Sequence, residues 1–381
     1  MIVKVSDNII SPLGMTTAEN YEAVKNGRSA LARYDGLWGL PEPFVASLMN
    51  RDEVGQAFAP LADNAKYTFF EKMIILSASK ALAETNIDPA SHKVLFILST
   101  TKGNVSLLDK RETGFPHERV LLGAAARQMT SFFHNPNAPI VVSNACISGV
   151  CAQIEAMREL QAGNFDHVVT VGADVQSAFI VSGFQSFKAL SDEPCKPFDA
   201  HRTGLNLGDA AATIVYTRRD AVGDADWVAC RGAIRNDANH ISGPSRTGEG
   251  SYRALKAALG DTDPDGIAFV NAHGTATLYN DEMESIAIER AGLSKVPVNG
   301  LKGYYGHTMG AAGVLETILS MAAIDDGNIL ATKGFDTLGV TRPLVLSNKN
   351  QATTKRSFIK LLSGFGGCNA ALRFKKGGAL C

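Results

Sequence analysis

Residues 139–161 read PIVVSNACISGVCAQIEAMRELQ, and this stretch decides the fold class. Its first part, Pro139 to Ser143, is a short apolar run rich in β-branched residues, which predicts a buried strand. Its second part, Cys146 to Gln161, is rich in small and helix-forming residues, which predicts a helix. A buried strand that runs directly into a helix is typical of layered α/β proteins.

The same alternation continues over most of the chain. Further strands are predicted at Val94 to Leu98, His167 to Gly172, Ala212 to Tyr216, Trp227 to Ile234, Ile267 to Ala272, Val296 to Gly300, Ile329 to Thr332, Phe358 to Leu362 and Ala370 to Phe374. Further helices are predicted at Glu71 to Glu84, Gly250 to Leu259, Glu282 to Arg290 and Gly310 to Asp325. Because several strands are apolar throughout, we expect helices on both faces of the sheets.

Composition and charge exclude several classes of protein. The 381 residues are 45% hydrophobic and 20% charged, which excludes disorder and fibrous structure. With 37 basic and 38 acidic residues, no global field attracts nucleic acid or anionic lipid. No uncharged apolar stretch of about 18 residues occurs, so no membrane span is expected. The first residues lack the pattern of a signal peptide and the six cysteines form no CxxC pair, so we expect a cytoplasmic protein.

The chain divides into two similar halves without a flexible linker. No long Gly/Ser-rich or Pro-rich stretch is present, and the order of predicted elements is similar on either side of Asn239. We therefore predict an N-terminal unit at residues 1–239 and a C-terminal unit at 240–381. No repeated residue pattern establishes a duplication from the sequence alone.

Cys146 is the first candidate for chemistry, because it stands where the strand turns into the helix. Amide donors at a helix N-terminus stabilise a thiolate, the nucleophilic form of cysteine. Small residues follow it, which would let a substrate approach closely. A cysteine in this place is as often a buried packing residue, so both interpretations stay open. Cys151, five residues further on, is interpreted as packing.

Two histidines stand in equivalent places in the second half. His273 follows the apolar strand Phe269-Val270-Asn271-Ala272, and His307 lies between a strand and a helix that opens with Gly310. Strand ends in layered α/β folds are where ligands bind. Either histidine alone would more often be structural, but two in equivalent settings, together with a thiol, favour catalysis.

A glycine-rich turn, Ser363-Gly364-Phe365-Gly366-Gly367-Cys368-Asn369, joins two apolar strands near the C-terminus. A glycine-rich turn is also typical of a tight hairpin, so its glycines alone do not indicate a functional site. No Gly-Lys-Ser/Thr follows, so the turn is not a phosphate loop. The histidines occur neither in HExxH nor beside CxxC, so no metal site is predicted.

Together these stretches resemble the β-ketoacyl-(acyl-carrier-protein) synthases, the condensing enzymes of the thiolase fold. The resemblance lies in the order and spacing of motifs along nearly the whole chain. These are Ser11-Pro12-Leu13-Gly14, Ala145-Cys146, Pro197-Phe198-Asp199 with Arg202 and Gly204, Asn271-Ala272-His273-Gly274-Thr275, Lys302 with Gly306-His307, Gly310-Ala311-Ala312-Gly313, and Gly364-Phe365-Gly366-Gly367. The resemblance implies an α/β fold of five layers, αβαβα, made of two similar halves. A Cys-His-His set is similar to the elongating branch, whereas initiating synthases carry Cys-His-Asn and thiolases a second catalytic cysteine.

The resemblance also implies a mechanism. Cys146 would accept an acyl group from acyl carrier protein, and its amide and that of Phe365 would form the oxyanion hole. His273 and His307 would stabilise the enolate left when malonyl carrier protein loses carbon dioxide. The product would be a 3-oxoacyl chain two carbons longer, in fatty-acid or polyene/polyketide biosynthesis. No cofactor or metal would be needed, because the substrates are carried on the phosphopantetheine of acyl carrier protein.

Further residues take roles by the same resemblance. Lys302 and Glu284 would orient the histidines and balance their charge, although such residues usually lie in solvent. Thr275 and Thr277 match the hydroxyls that hold pantetheine, and Phe365 matches the side chain that gates the acyl pocket. Contact with the acidic carrier protein is expected at two basic residues, Lys66 and Arg127.

Alternatives follow from the same residues. The chain could be a catalytic subunit that is active only as a heterodimer with a partner similar to a chain-length factor; a homodimer is equally consistent with the resemblance. Chain-length factors themselves lack the nucleophilic cysteine that Cys146 supplies. An acyltransferase that loads Cys146 without condensing, and a binding protein without turnover, are the other hypotheses. The chain departs from the family pattern at Ala276, where Gly or Ser is usual, at Cys368, where Thr is usual, and at Gly208-Asp209-Ala210-Ala211.

Overall fold

The computed structural model describes residues 1–109 and 114–377. The elements of its first part are β1 (Ile2–Ile10), α1 (Thr17–Lys25), β2 (Ala32–Tyr34), β3 (Phe44–Ser47), α2 (Arg51–Phe58), α3 (Phe69–Ala83), β4 (Val94–Ser99), α4 (Leu122–Phe132), β5 (Ile140–Val142), α5 (Ser148–Ala162), β6 (His167–Asp174), α6 (Ala178–Ser186), β7 (Leu207–Gly208) and β8 (Ala210–Arg218).

The second part continues the alternation of strands and helices. Its elements are β9 (Trp227–Asn236), α7 (Glu249–Leu259), β10 (Phe269–Asn271), α8 (Leu278–Arg290), β11 (Val298–Asn299), α9 (Lys302–Tyr305), α10 (Ala312–Asp325), β12 (Asn328–Ile329), β13 (Gln351–Ala352), β14 (Ser357–Gly364) and β15 (Cys368–Lys376). In the described ranges, no helix combines the length and the apolar character that a membrane crossing requires.

Ten strands are hydrogen-bonded in the order β11-β10-β14-β15-β9-β1-β8-β6-β4-β5. The two central strands, β9 and β1, pair only through Ile2, Val3 and Lys4. Outward from β1, the successive pairings are antiparallel, antiparallel, parallel and parallel. Outward from β9 the same sequence of pairings occurs. The two halves therefore share one topology, and the second copy of it begins with β9 at Trp227, ahead of the expected division at residue 239.

Helices cover these two half-sheets in layers. Helices α5 and α10 pack against each other and against strands of both halves, so they form a middle layer. Helix α3 covers the outer face of the first half-sheet, and helix α7 covers that of the second, where it also packs on α8. This arrangement is the predicted five-layered αβαβα fold, with the core divided between the faces of the middle layer and the two outer faces.

The two middle helices touch where neither has a side chain. A Cβ added to Gly149 would lie 2.9 Å from the Cα of Gly313, and one added to Gly313 would lie 2.5 Å from the backbone N of Val150. Cβ atoms do not approach backbone this closely in folded proteins, so both positions need glycine. This close crossing brings the N-terminal ends of α5 and α10, and the loops before them, to one place.

The structure differs from the predicted elements in several respects, and helices α1, α2, α4 and α6 are among the elements that were not predicted. Strand β1 was not predicted because its sequence IVKVSDNII carries polar residues, but Lys4 pairs with Asp7 at 2.5 Å on this strand. The strand predicted at Ile329 to Thr332 is only two residues long and pairs with β13 outside the main sheet. Helix α5 begins at Ser148, so Cys146 lies in the turn before it.

Candidate active site

Cys146 occupies a sharp turn between β5 and α5. The residue before it, Ala145, has φ 45°, in the left-handed region that side chains other than glycine rarely adopt. The hydroxyl of Ser148 accepts a hydrogen bond from the Asn144 amide at 2.8 Å and donates one to the Ala145 carbonyl at 2.6 Å. These bonds hold the turn, so the Cys146 side chain is presented at the end of the strand.

His273 and His307 approach this thiol from the second half. His273 follows β10, and His307 follows the short helix α9. The two ring centroids are 4.9 Å apart with planes at 81°. One ligand-forming atom from each of Cys146, His273 and His307 lies within 4.8 Å of those of the other two, and all three residues are buried. The structure thus brings together the three residues singled out in the sequence.

The hydrogen bonds of His307 assign its tautomer. The Met309 amide donates to Nδ1 of His307 at 3.1 Å, so a neutral ring carries its proton on Nε2. Within the described residues, this Nε2 atom and Nδ1 of His273 are buried without a hydrogen-bond partner. Buried polar atoms are normally paired, so a ligand bound between these rings would supply the missing partners. Nε2–H of His307 is therefore a hydrogen-bond donor without an acceptor among the described residues.

Acidic side chains fix the turn that carries His273. Glu284 accepts hydrogen bonds from the backbone amides of His273 at 2.6 Å and Gly274 at 2.7 Å. Asp281 accepts from the Thr275 amide at 3.0 Å. Burial raises the pKa of Glu284 to about 7 and that of Asp281 to about 6. Glu284, a residue of helix α8, therefore orients His273 through hydrogen bonds to the backbone of this turn.

The charge partner of Lys302 is Glu316. Its Nζ donates to the His273 carbonyl at 2.5 Å and pairs with Glu316 at 3.0 Å, whereas Glu284 binds backbone amides. Glu316 also pairs with Lys360 at 2.5 Å. Sequence reasoning missed Glu316 and Lys360. A usable signal was present, since each is a lone charge inside an apolar run of α10 or β14, and buried charges need partners.

Strained backbone occurs beside each of these residues, and five other non-glycine residues in the described ranges also have a positive φ. Besides Ala145, Ala276 has φ 59° and Met309 has φ 46°, and each lies within three residues of Cys146, His273 or His307. Left-handed backbone at a non-glycine residue costs on the order of 1 kcal/mol, and such strain clusters at functional sites. The conformation also explains why Ala276 is an unusual residue here: glycine would adopt the same φ without a steric penalty.

Burial controls the ionisation of the site. It raises the pKa of the Cys146 thiol to about 12, and the neighbouring Cys368 acts in the same direction, while Lys302 and Lys102 oppose them. Burial therefore acts against the expected stabilisation of a thiolate by the helix N-terminus. Burial, followed by Lys302, also places the pKa values of His273 and His307 well below their ordinary value. The resting site at neutral pH is a thiol with two neutral imidazoles.

A cavity of about 510 Å³ leads to the three residues. Thr275 and Thr277 line it, and their hydroxyls are 2.8 Å apart. Phe365 also lines it, with its ring centroid 5.9 Å from that of Phe184 and 5.6 Å from that of Phe187. The pantetheine and gate residues expected from the sequence therefore share one cavity with the thiol.

The glycine-rich turn approaches the backbone of Cys146. A Cβ added to Gly364 would lie 3.1 Å from the Cys146 amide N and 2.9 Å from Sγ of Cys368. The absence of a side chain at Gly364 thus lets the Phe365 segment pack close to the Cys146 amide. This proximity is what an oxyanion hole shared by the two amides requires.

The three converging residues carry the atom types of a metal site. Sulfur and imidazole nitrogens suit Zn²⁺ by chemistry. Metal binding through Nε2 of His307 would, however, require the ring proton on Nδ1, which faces the donating Met309 amide. The tautomer fits a hydrogen-bond donor rather than a metal ligand.

The two basic residues expected to meet a carrier protein lie at the surface of the protein. Lys66 and Arg127 are both exposed, and neither lines the cavity. Lys188 is a basic residue that does line it. Contact of Lys66 and Arg127 with a carrier protein stays a prediction.

Comparison with known protein families matches most of the chain. Residues 2–221 match the N-terminal domain of β-ketoacyl synthases, and residues 228–336 match the C-terminal domain. The gap between these matches falls between β8 and β9, where the topological repeat also changes over.

Individual relatives cover the full length. The chain is 28% identical to 3-oxoacyl-(acyl-carrier-protein) synthase 2 of Vibrio cholerae serotype O1, over 98% of this chain and 99% of the relative. It is 26% identical to the tetracenomycin polyketide synthase ketoacyl synthase alpha subunit of Streptomyces glaucescens, over 97% and 96%. Among solved structures, the Xenorhabdus doucetiae ketosynthase ApeO in complex with its chain length factor ApeC has a TM-score of 0.85 at 22% identity, over 99% and 98% of the two chains, which shows a common fold.

Proposed function

The chain belongs to the β-ketoacyl synthase family, and we propose that Cys146, His273 and His307 carry out its decarboxylative condensation. The protein is an acyl-transferring condensing enzyme. One observation carries the assignment of residues: a buried thiol and two imidazole nitrogens lie within 4.8 Å of one another at the end of a cavity.

In the first half-reaction, Cys146 attacks the thioester carbonyl of an acyl carrier protein. The thiol must lose its proton during the attack, because burial keeps it neutral beforehand. His307 already carries its proton on Nε2, so His273 is the proton acceptor. The amides of Cys146 and Phe365 stabilise the oxyanion. The thioester bond to the carrier breaks, and its departing thiolate takes the proton from His273.

In the second half-reaction, malonyl carrier protein enters the same cavity. Its terminal carbon–carbon bond breaks, carbon dioxide leaves, and the electron pair forms an enolate. Nε2–H of His307 donates to the enolate oxygen, and His273 faces the same place. The enolate carbon then attacks the acyl group on Cys146, forming the new carbon–carbon bond. Cys146 leaves as a thiolate and regains a proton from water.

The cavity supports delivery of both substrates on phosphopantetheine arms. Thr275 and Thr277 offer hydroxyls at positions where the amides of such an arm would pass. Phe365 lines the same cavity, and we assign it the role of a gate between the arm and the thiol. Acyl carrier protein is thus the proposed partner, meeting the surface near Lys66 and Arg127.

No cofactor of the enzyme itself takes part. We place the reaction in the cytoplasm, because an oxidising compartment would expose the nucleophilic thiol to disulfide formation.

Mass spectrometry of a complete reaction tests the proposal. The purified protein is mixed with acyl and malonyl carrier proteins, beside a Cys146→Ala control. A 3-oxoacyl carrier protein two carbons longer is expected with the wild-type protein alone. Acylation without elongation would favour a plain acyltransferase. Elongation that requires a second, related subunit would favour a heterodimer with a partner similar to a chain-length factor. No acylation with any of several acyl chains would contradict the proposal.

A further inference from the structure

Lys360 is a buried charge that the proposed reaction does not use. It lies in the middle of β14, with apolar neighbours Phe358, Ile359, Leu361 and Leu362 along the strand. Its side chain is 0% exposed. Lysine is almost never fully buried unless it is paired, because desolvation of an ammonium group is costly. This position therefore requires an explanation.

The ammonium group of Lys360 is bound entirely by groups beneath His273. Its Nζ lies 2.5 Å from a carboxylate oxygen of Glu316 and 2.6 Å from Oδ1 of Asn271. It also donates to the backbone carbonyls of Asn271 at 3.4 Å and Ala272 at 3.3 Å. Lys302 donates to the next carbonyl, that of His273. Two ammonium groups thus hold three consecutive carbonyls at the end of β10.

The charges around Lys360 leave an excess of positive charge next to the imidazoles. Burial alone would raise the pKa of Glu316, but Lys302 and Lys360 lower it below its ordinary value, so this carboxylate is ionised. It balances one of the two lysines. The other charged or titratable groups that act on this cluster are Glu284, His273, His307 and, on His307, Lys102.

We propose that Lys360 is a positioning residue, which fixes the strand end that carries His273 and, together with Lys302, keeps both histidines uncharged. This inference rests on the proposed roles of the two histidines. Burial lowers the pKa of Lys360 to about 8, with Glu316 opposing, so the ammonium form persists at neutral pH. Lys360 in turn contributes to the lowered pKa values of His273 and His307, after burial and Lys302.

An uncharged His307 matters because of its hydrogen bond. A second proton would have to reside on Nδ1, where the Met309 amide already donates. Two donors would then face each other, and the ring would rotate away from the position in which Nε2–H points at the substrate. Protonation of the site would therefore remove the donor that the decarboxylation step needs.

The test replaces Lys360 with uncharged side chains. Lys360→Met leaves Glu316 paired with Lys302, a balanced pair, so the variant is expected to fold. Should it not fold, Lys360→Gln retains an amide donor for Asn271 and Glu316 and serves the same test. Lys360→Arg restores the charge, and Lys349→Met removes an exposed lysine as a control.

Two readouts are compared across these variants. The first is NMR titration of histidine imidazoles in isotope-labelled protein, which needs no activity. The second is the pH profile of carbon dioxide release from malonyl carrier protein. In Lys360→Met, the His273 and His307 resonances and the acidic limb of the profile are expected to move to higher pH by about one pH unit, because a nearby positive charge is lost. In Lys360→Arg, which keeps the positive charge, and in Lys349→Met, the imidazole titrations and the acidic limb are expected to match those of the wild-type protein.

Unchanged imidazole titrations in Lys360→Met or Lys360→Gln would overturn the inference, whatever the overall activity. A loss of activity without a shift of the acidic limb would also overturn it, because that pattern indicates a structural role only. Failure of the proposed function is distinguishable, since the wild-type protein itself would then release no carbon dioxide while the imidazole titrations would still report the effect of Lys360.

Discussion

The Cys146 thiol combines two properties that normally oppose each other: it is placed as a nucleophile, and it is buried in surroundings that disfavour its charge. Its pKa is raised to about 12, mainly by burial. Burial lowers the pKa values of the two imidazoles beside it, because it disfavours their charged forms as well. Cys146, His273 and His307 are therefore all uncharged before a substrate binds. Charge develops only when a substrate supplies an electrophilic carbonyl and the oxyanion donors act on it.

Thiolate absorbance tests this resting state. We expect the ultraviolet difference between wild-type protein and Cys146→Ala to show no thiolate at neutral pH, and a thiolate signal only above about pH 11, since a raised pKa keeps the proton on sulfur. A Cys146-dependent thiolate signal near pH 7 would show instead that the helix N-terminus outweighs burial.

The residues of the candidate site were predictable to different degrees. Cys146, His273 and His307 stand at junctions between strands and helices, where a local pattern marks them. Glu316 and Lys360 do not, because their role arises from a contact between α10 and β14 that joins positions 44 residues apart. The pairing of Lys302 with Glu316 was not predicted for the same reason: charge pairing in a core depends on three-dimensional packing.

At the scale of elements, the crossing of α5 and α10 positions the site. Cys146 precedes one helix and His307 precedes the other, so the distance between thiol and imidazole depends on how closely the helices approach. The approach is limited by Gly149 and Gly313, at which a Cβ would collide with backbone. Neither collision can be relieved by rotating a side chain.

A single methyl group tests this dependence. Gly313→Ala is expected to destabilise the protein by about 1–3 kcal/mol, as overpacking does, and to slow acylation of Cys146. Gly183→Ala in α6 is the matched control, because a Cβ there meets no atom within 4 Å. Thermal unfolding and acylation rates are measured for both. Equal behaviour of the two variants would contradict a limiting contact at the crossing.

The elements themselves were predicted best where they are long and apolar. Strands β4, β6, β8, β9, β14 and β15 lie where apolar runs predict them. Strand β1 was missed because it is buried between β9 and β8 while carrying polar residues that pair with each other. Burial of that kind is a property of the assembled sheet and leaves no periodic pattern in the sequence.

At the scale of the molecule, two copies of one topology contribute different parts. The first copy supplies Cys146, and the second supplies His273 and His307. We propose that the division between the copies lies between Arg218 and Trp227, since β9 opens the second copy. Neither copy alone contains the complete set of three residues.

The assembly state is expected to be a dimer. Strand β5 is an outer strand of the ten, its three residues are only partly buried, and unpaired edge strands tend to pair with another chain. Light scattering during size-exclusion chromatography is expected to give about 81 kDa, twice the 40.4 kDa of one chain. A mass of one chain at micromolar concentration would contradict self-association and point to a different partner subunit.

The central claim is that Cys146 carries the acyl chain while His307 acts only on the malonyl substrate. Peptide mapping by mass spectrometry after exposure to acyl carrier protein tests it most directly, in wild-type protein, Cys146→Ala and His307→Ala. We expect an acyl mass on the Cys146 peptide of the wild type and of His307→Ala, with elongation reduced by about 10² or more in the latter. An acyl group on Cys151 or Cys368, or loss of the acyl group in His307→Ala while the wild type still elongates, would show that these roles are wrong.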